Sequence, residues 1–137
     1  MNNHSTKWNK DDAGRTTSEK REKRDCTVRA LAICTGKSYE ECIEIMAAVG
    51  RKKDRGVPFR MVAQKVARLA GAKFTQVKRS GTLNSFLKRF PEGTFYVTIK
   101  GHALAVKDGK VHDLMKPKPY CILRKAWRVE LNPEVRQ

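Results

Sequence analysis

One short stretch constrains this chain more than any other. From Thr94 to Asp113, β-branched, aromatic and small apolar residues dominate, and Asp108-Gly109 interrupts them. Asp-Gly between two such runs signals a two-residue type I′ turn, whose central residues both need positive φ. Thr94 to Ile99 therefore reads as a strand, and 102–107 and 110–115 as the arms of a hairpin. The turn sets the register. Lys107 faces Lys110, Val106 faces Val111, Ala105 faces His112, Leu104 faces Asp113, and His102 lies opposite Met115. Side chains alternate with period two, so 102, 104, 106, 111, 113 and 115 share one face. Asp113 becomes the diagonal neighbour of His102, roughly 7–8 Å away at the backbone and within side-chain reach. A carboxylate there accepts the Nδ1–H of His102 and fixes its tautomer. His112 points to the opposite face, and Gly101 lets another backbone or a substrate come close.

Upstream the period is helical. Asp25 reads as an N-cap, followed by an apolar face of Val28, Leu31, Ala32 and Cys34 or Thr35, with Gly36 as the stop. Ser38-Tyr39-Glu40-Glu41 is a capping box that opens a second helix through Cys42, Ile45, Met46 and Val49, ended by Gly50. Pro58 begins a third, with Phe59, Val62, Val66 and Leu69 inward and Gly71 as the stop. Phe74 to Val77 reads as a short strand, Thr82 caps a short helix, and 122–131 forms a last strand. Helices first and an antiparallel sheet afterwards make an α+β domain over residues 25–137. Residues 1–24, with seven Lys or Arg, four Asp or Glu and few large apolar side chains, read as a disordered basic arm. Trp8 is the exception there, a residue able to dock on the domain or on a partner.

The chain has 137 residues, suited to one domain with a modest core. Its net charge of +16 attracts polyanions. The candidate polyanion contacts are Lys20, Arg21, Lys23 and Arg24 in the arm, Arg51, Lys52, Lys53 and Arg55 in a basic loop, and Lys78 and Arg79. No apolar run is long enough to span a bilayer, and the first residues lack the apolar core of a secretory signal. The expectation is a cytoplasmic protein with no membrane partner. The four cysteines show no Cys-x-x-Cys spacing and read as free thiols, with no metal site and no cofactor.

Cys26 stands in the first turn of the first helix. A helix N-terminus favours a thiolate, and a nearby imidazolium lowers the thiol pKa further. Taken singly, a cysteine there is most often a small core residue, and a lone histidine in a hairpin a surface residue. Taken together, Cys26, His102 and Asp113 have the residue types of a nucleophile, a general base and an orienting carboxylate.

The arrangement resembles the papain-like cysteine peptidase superfamily, in particular small bacterial and phage-encoded domains related to bacteriocin-processing peptidases. The matching residues are Asp25-Cys26-x-Val28-Arg29-Ala30-Leu31-Ala32, Gly36-Lys37-Ser38-Tyr39-Glu40-Glu41, Gly101-His102-Ala103-x-Ala105-Val106-x-Asp108-Gly109, and Asp113. The resemblance implies a papain-like fold, N-terminal helices packed on a small antiparallel β-sheet. It implies Cys26 as nucleophile, His102 as general base and Asp113 as orienter, cleaving an amide or isopeptide bond of a protein or peptide through a thioester. It also suggests a bacterial or phage-infected cell, or association with a virion. The chain departs from the pattern in one respect. Many members carry Gln or Asn a few residues before the cysteine to complete the oxyanion hole, and Ser18 to Asp25 contains neither. The Cys26 N–H supplies one donor; a second is unassigned. The competing reading is a non-catalytic module of the same fold that binds nucleic acid or an acidic protein through its basic surface, as a virion or assembly component would. Nothing in the chain resembles a helix-turn-helix, a zinc finger or an aromatic RNA-binding motif.

Overall fold

The computed structural model describes residues 7–19, 22–78 and 81–133. A short strand β1 (Trp8–Lys10) precedes three helices, α1 (Cys26–Thr35), α2 (Tyr39–Ala48) and α3 (Phe59–Ala70). Then come β2 (Ala72–Gln76), α4 (Leu83–Arg89), β3 (Thr94–Ile99), β4 (His102–Lys107), β5 (Lys110–Asp113) and β6 (Leu123–Leu131). The strands form one sheet in the order β1-β5-β4-β3-β6-β2. β1 runs parallel to β5, and the other pairings are antiparallel. The fold is α+β, with a mixed rather than a purely antiparallel sheet.

The helix boundaries have local causes. Ser38 and Glu41 form the reciprocal capping box of α2, and Thr82 caps α4 by accepting the Ser85 N–H. Gly36 and Gly71 end α1 and α3 in the left-handed conformation. Asp108 and Gly109 both have positive φ, as a type I′ turn requires, and the β4–β5 ladder keeps the expected register from Lys107↔Lys110 to Ala105↔His112. No helix among the described residues is long and apolar enough to cross a membrane.

The sheet buries both faces. On one, α1 and α3 cover Tyr96, Ala103, Ala105, Trp127 and Val129, and α2 packs against α1 and α3. On the other, Leu83, Phe86 and Leu87 of α4 cover Phe95, Val97, Leu104, Val106, Val111 and Ala126. Helix α1 is buried on nearly every side, and its small residues Ala30 and Ala32 and the alanines of β4 keep side-chain bulk low where helix and sheet meet.

Four expectations are corrected. The described part of residues 1–24 is packed on the domain: β1 joins the sheet, and Ser18 and Glu22 are buried. Buried polar groups hold it there, which apolar content could not reveal. The inward face of α3 is Phe59, Ala63, Val66, Ala67 and Ala70, while Leu69 is 47% exposed. The apolar stripe is rotated because small alanines, rather than the bulky Leu69, let the helix lie close. Asp25 does not cap α1 with its side chain, because its carboxylate is engaged by Arg29, Arg15 and Tyr39. Finally, His102 and Asp113 do not share a packing environment with Leu104, Val106 and Val111. Those three fill the α4-side core, whereas His102 and Asp113 stand at strand ends and meet residues of α1.

Candidate active site

Cys26 is the first residue of α1. The earliest intrahelical bond there is Arg29 N–H to the Asp25 carbonyl, 2.9 Å, so the N–H groups of Cys26, Thr27 and Val28 precede it. Tyr96, fully buried on β3, donates its hydroxyl to the Thr27 carbonyl at 3.1 Å and pins this turn to the sheet. His102 opens β4 immediately after Gly101, whose φ of +67° suits glycine. The turn brings the imidazole beside the Cys26 thiol, where each group shifts the ionisation of the other.

Asp113 ends β5. Its Oδ2 lies 2.6 Å from His102 Nε2. The expectation from sequence gives this contact to Nδ1; the structure places the carboxylate on Nε2, which leaves Nδ1 for the thiol. Asp113 Oδ1 accepts Arg29 Nη1 at 2.8 Å and the Leu114 N–H at 2.8 Å. Its backbone carbonyl accepts the Trp8 indole N–H at 3.1 Å and the Asp11 N–H at 2.9 Å. Trp8 therefore docks on the domain, and β1 holds the strand that carries the carboxylate.

Arg29 links the site to a second buried acid. Its Nε donates to Asp25 Oδ1 at 2.9 Å, one turn earlier on the same helix. Asp25 Oδ2 accepts the Tyr39 hydroxyl at 2.7 Å and lies 2.9 Å from Arg15 Nε. Sequence reasoning missed this chain of groups. Its one visible signal is an arginine inside an otherwise apolar helix, four residues after an aspartate.

These contacts set the ionisation of the pair. Burial by itself would raise the Cys26 thiol, but the hydrogen bond with His102, the Ala103 N–H and the charges of His102 and Arg29 outweigh it. The net result is a thiol pKa below its ordinary 9.0. The hydrogen bond to Asp113, then that to Cys26, outweigh burial at His102 and push its pKa up to about 9. The pair is thus biased towards thiolate and imidazolium. The other thiols differ. Burial raises Cys34, whose Sγ donates to the Phe95 carbonyl, and pushes Cys42 up to about 12. Cys121 is half-buried, and all four cysteines are free. His112 lies apart from this site, against Asn9 and Asp11. Among the described residues no cluster of His, Cys, Asp and Glu could hold a metal ion.

The pair opens into a cleft of about 990 Å³. Val57, Pro58, Phe59, Val77 and Ile99 give it an apolar lining. The basic residues proposed from sequence do not converge there as a group. Lys78 lines the cleft; Lys23, Arg24, Lys52, Lys53 and Arg55 are exposed elsewhere on the described surface. Arg51 is a correction: it is 6% exposed and bound to Glu22 at 3.0 Å, so its charge is spent inside the protein. Lys20, Arg21 and Arg79 lie outside the described residues.

Comparison with protein-family models, with curated proteins and with solved structures finds no match to this chain. The chemistry must therefore be read from the geometry. A thiol with a lowered pKa, an imidazole held by a buried carboxylate, and a cleft that both line can carry out nucleophilic attack and proton transfer at one point.

Proposed function

We propose that this chain is a small cysteine hydrolase of papain-like arrangement, acting on an amide or isopeptide bond of a protein or peptide. One observation carries the reading: the Cys26 thiol at a helix N-terminus lies beside a histidine that a buried aspartate holds at 2.6 Å, and both line one open cleft. A helix bearing the thiol packed against a sheet bearing the histidine and the aspartate also supports the papain-like comparison.

In the proposed reaction the Cys26 thiolate attacks the carbonyl carbon, and the carbonyl electron pair moves to oxygen. The Cys26 N–H, ahead of the first intrahelical bond, is the donor for that oxyanion. Collapse expels the amine, which takes the proton from His102, and leaves a thioester on Cys26. His102 then accepts a proton from water as the water attacks the thioester. Thiolate leaves, the acid product is released, and His102 is an imidazolium again. Asp113 keeps the ring oriented.

The test is alkylation by iodoacetamide across a pH series, with the modified cysteine located by mass spectrometry, in the parent and in His102→Ala. The expected result is rapid modification of Cys26 below the ordinary thiol pKa, slowed in the variant. Uniformly slow modification, unchanged in His102→Ala, would refute the hydrolase reading and favour the non-catalytic module.

A further inference from the structure

We infer that the substrate is an acidic segment of polypeptide, with carboxylate side chains flanking the bond presented to Cys26. This rests on the hydrolase reading and names its substrate class.

Among the described residues, five lysine and arginine side chains line the cleft: Arg60 from α3, Lys78 after β2, Lys100 in the turn before His102, and Arg124 and Lys125 from β6. Among the described residues, no aspartate or glutamate lines it. All five are exposed, and Arg60, Lys78, Lys100 and Lys125 form no ion pair with a described residue. They reach the cleft from four separate elements, so their convergence is a product of the fold and not of one basic run. A concave wall with one sign of charge focuses its field on whatever enters, and can raise the association rate of an oppositely charged ligand by about 10- to 1,000-fold.

A nucleic acid would also answer to positive charge, but the cleft suits it poorly. Single strands are gripped by stacking their bases on aromatic side chains. Among the described residues, the one Phe, Tyr or Trp lining this cleft is Phe59, which is 3% exposed and already stacked on Tyr96 with centroids 3.8 Å apart. The apolar lining and a thiol nucleophile fit a peptide carbonyl with acidic neighbours.

The experiment uses the full chain and two N-chloroacetyl peptides that alkylate Cys26, identical except that one carries glutamates where the other carries glutamines. Iodoacetamide is run beside them as a small neutral probe. The readout is the ratio of the Glu-peptide to the Gln-peptide rate, so a general effect on the thiol cancels. At low salt we expect a ratio of about ten or more. It should fall towards one at high salt and in the combined variant Lys78→Gln, Lys100→Gln, Lys125→Gln. A ratio near one with brisk iodoacetamide modification of Cys26 overturns the acidic-substrate inference and leaves the hydrolase reading standing. Failure of iodoacetamide to select Cys26 overturns the hydrolase reading itself. Protection of Cys26 by a single-stranded oligonucleotide at concentrations where polyglutamate gives none overturns the inference in favour of a nucleic-acid cleft.

Discussion

Asp113→Asn is the most informative single change, because it separates the thermodynamic work of the carboxylate from the geometry of the fold. The variant keeps the shape of the side chain and removes its charge. His102 has an ordinary pKa of 6.5 and is pushed up to about 9, with the hydrogen bond to Asp113 as the first cause. At about 1.36 kcal/mol per pH unit, that interval is an upper bound of about 3 kcal/mol of preference for the imidazolium, reduced by solvent screening of the partly exposed ring, with Asp113 its first cause and Cys26 its second. The sign follows from linkage. A histidine whose pKa is raised by folding contributes stability that is complete below its unfolded pKa of 6.5 and lost as pH climbs through about 9. The variant should therefore lose stability mainly at the acid end of that window, and the gap from the parent should narrow as pH rises. A second, pH-independent loss comes from Arg29, which keeps only one of its two carboxylate partners. Both proteins would be studied with Cys26 in place, so that they differ only in the carboxylate. The assays are the NMR titration of the His102 ring and urea unfolding at several pH values. The His102 midpoint should drop towards 6.5 in the Asn variant. An unchanged midpoint, or a stability gap that stays level from pH 6.5 to about 9, would refute the assignment of Asp113 as the group that holds His102 charged.

Other changes test the surroundings of the site. Arg29→Leu leaves Asp25 and Asp113 buried without their shared cation, and should destabilise the fold by about 3–5 kcal/mol in urea unfolding. Arg29→Lys should recover only part of this, since one ammonium cannot reproduce a guanidinium that bonds both acids. The Thr27 hydroxyl is buried without a hydrogen-bond partner among the described residues, so Thr27→Val should be neutral or raise stability by up to about 1 kcal/mol. A loss larger than that in a thermal melt would mean the hydroxyl has a partner. At Gly101 a methyl group would point into open space, but the φ of +67° disfavours any L side chain, so Gly101→Ala should cost about 1 kcal/mol through backbone strain alone. A much larger loss in urea unfolding would point to a steric clash instead.

Much of the fold is legible because its signals are local. Asp108-Gly109 dictates a turn, and the turn dictates the register that brings β5 beside β4. Ser38 and Glu41 announce the start of α2, and Gly36 and Gly71 announce where α1 and α3 end. Periodicity fails where packing chooses small residues over large ones, as on α3, where Ala63, Ala67 and Ala70 face inward and Leu69 does not. It fails again at the N-terminus. A segment held by the Trp8 indole, by the Asp11 N–H and by Glu22 bound to Arg51 looks polar and loose in sequence, because its anchors are single hydrogen bonds to residues far along the chain.

The site divides along the same line. Cys26, His102 and Asp113 are visible because each sits at a recognisable place in its own element: a helix start, a residue after a glycine turn, a strand end. Arg29 is harder to see, because its value depends on two acids far apart in sequence, Asp25 and Asp113, arriving on either side of it. The cationic cleft is hardest. Runs of charge are what a sequence displays, and the run 51–55 stands out, yet Arg51 is neutralised by Glu22 inside the protein. The charges that surround Cys26 include an isolated residue of α3, one in the turn after β3 and two on β6, and only Lys78 belongs to a basic pair singled out from sequence. A solvated run makes a diffuse field that salt screens within about 8–10 Å. Single cations gathered round a concave wall act together over the short distance at which a substrate is held. That difference is why the cleft, and not the longest basic run, is the place to test for charge selection.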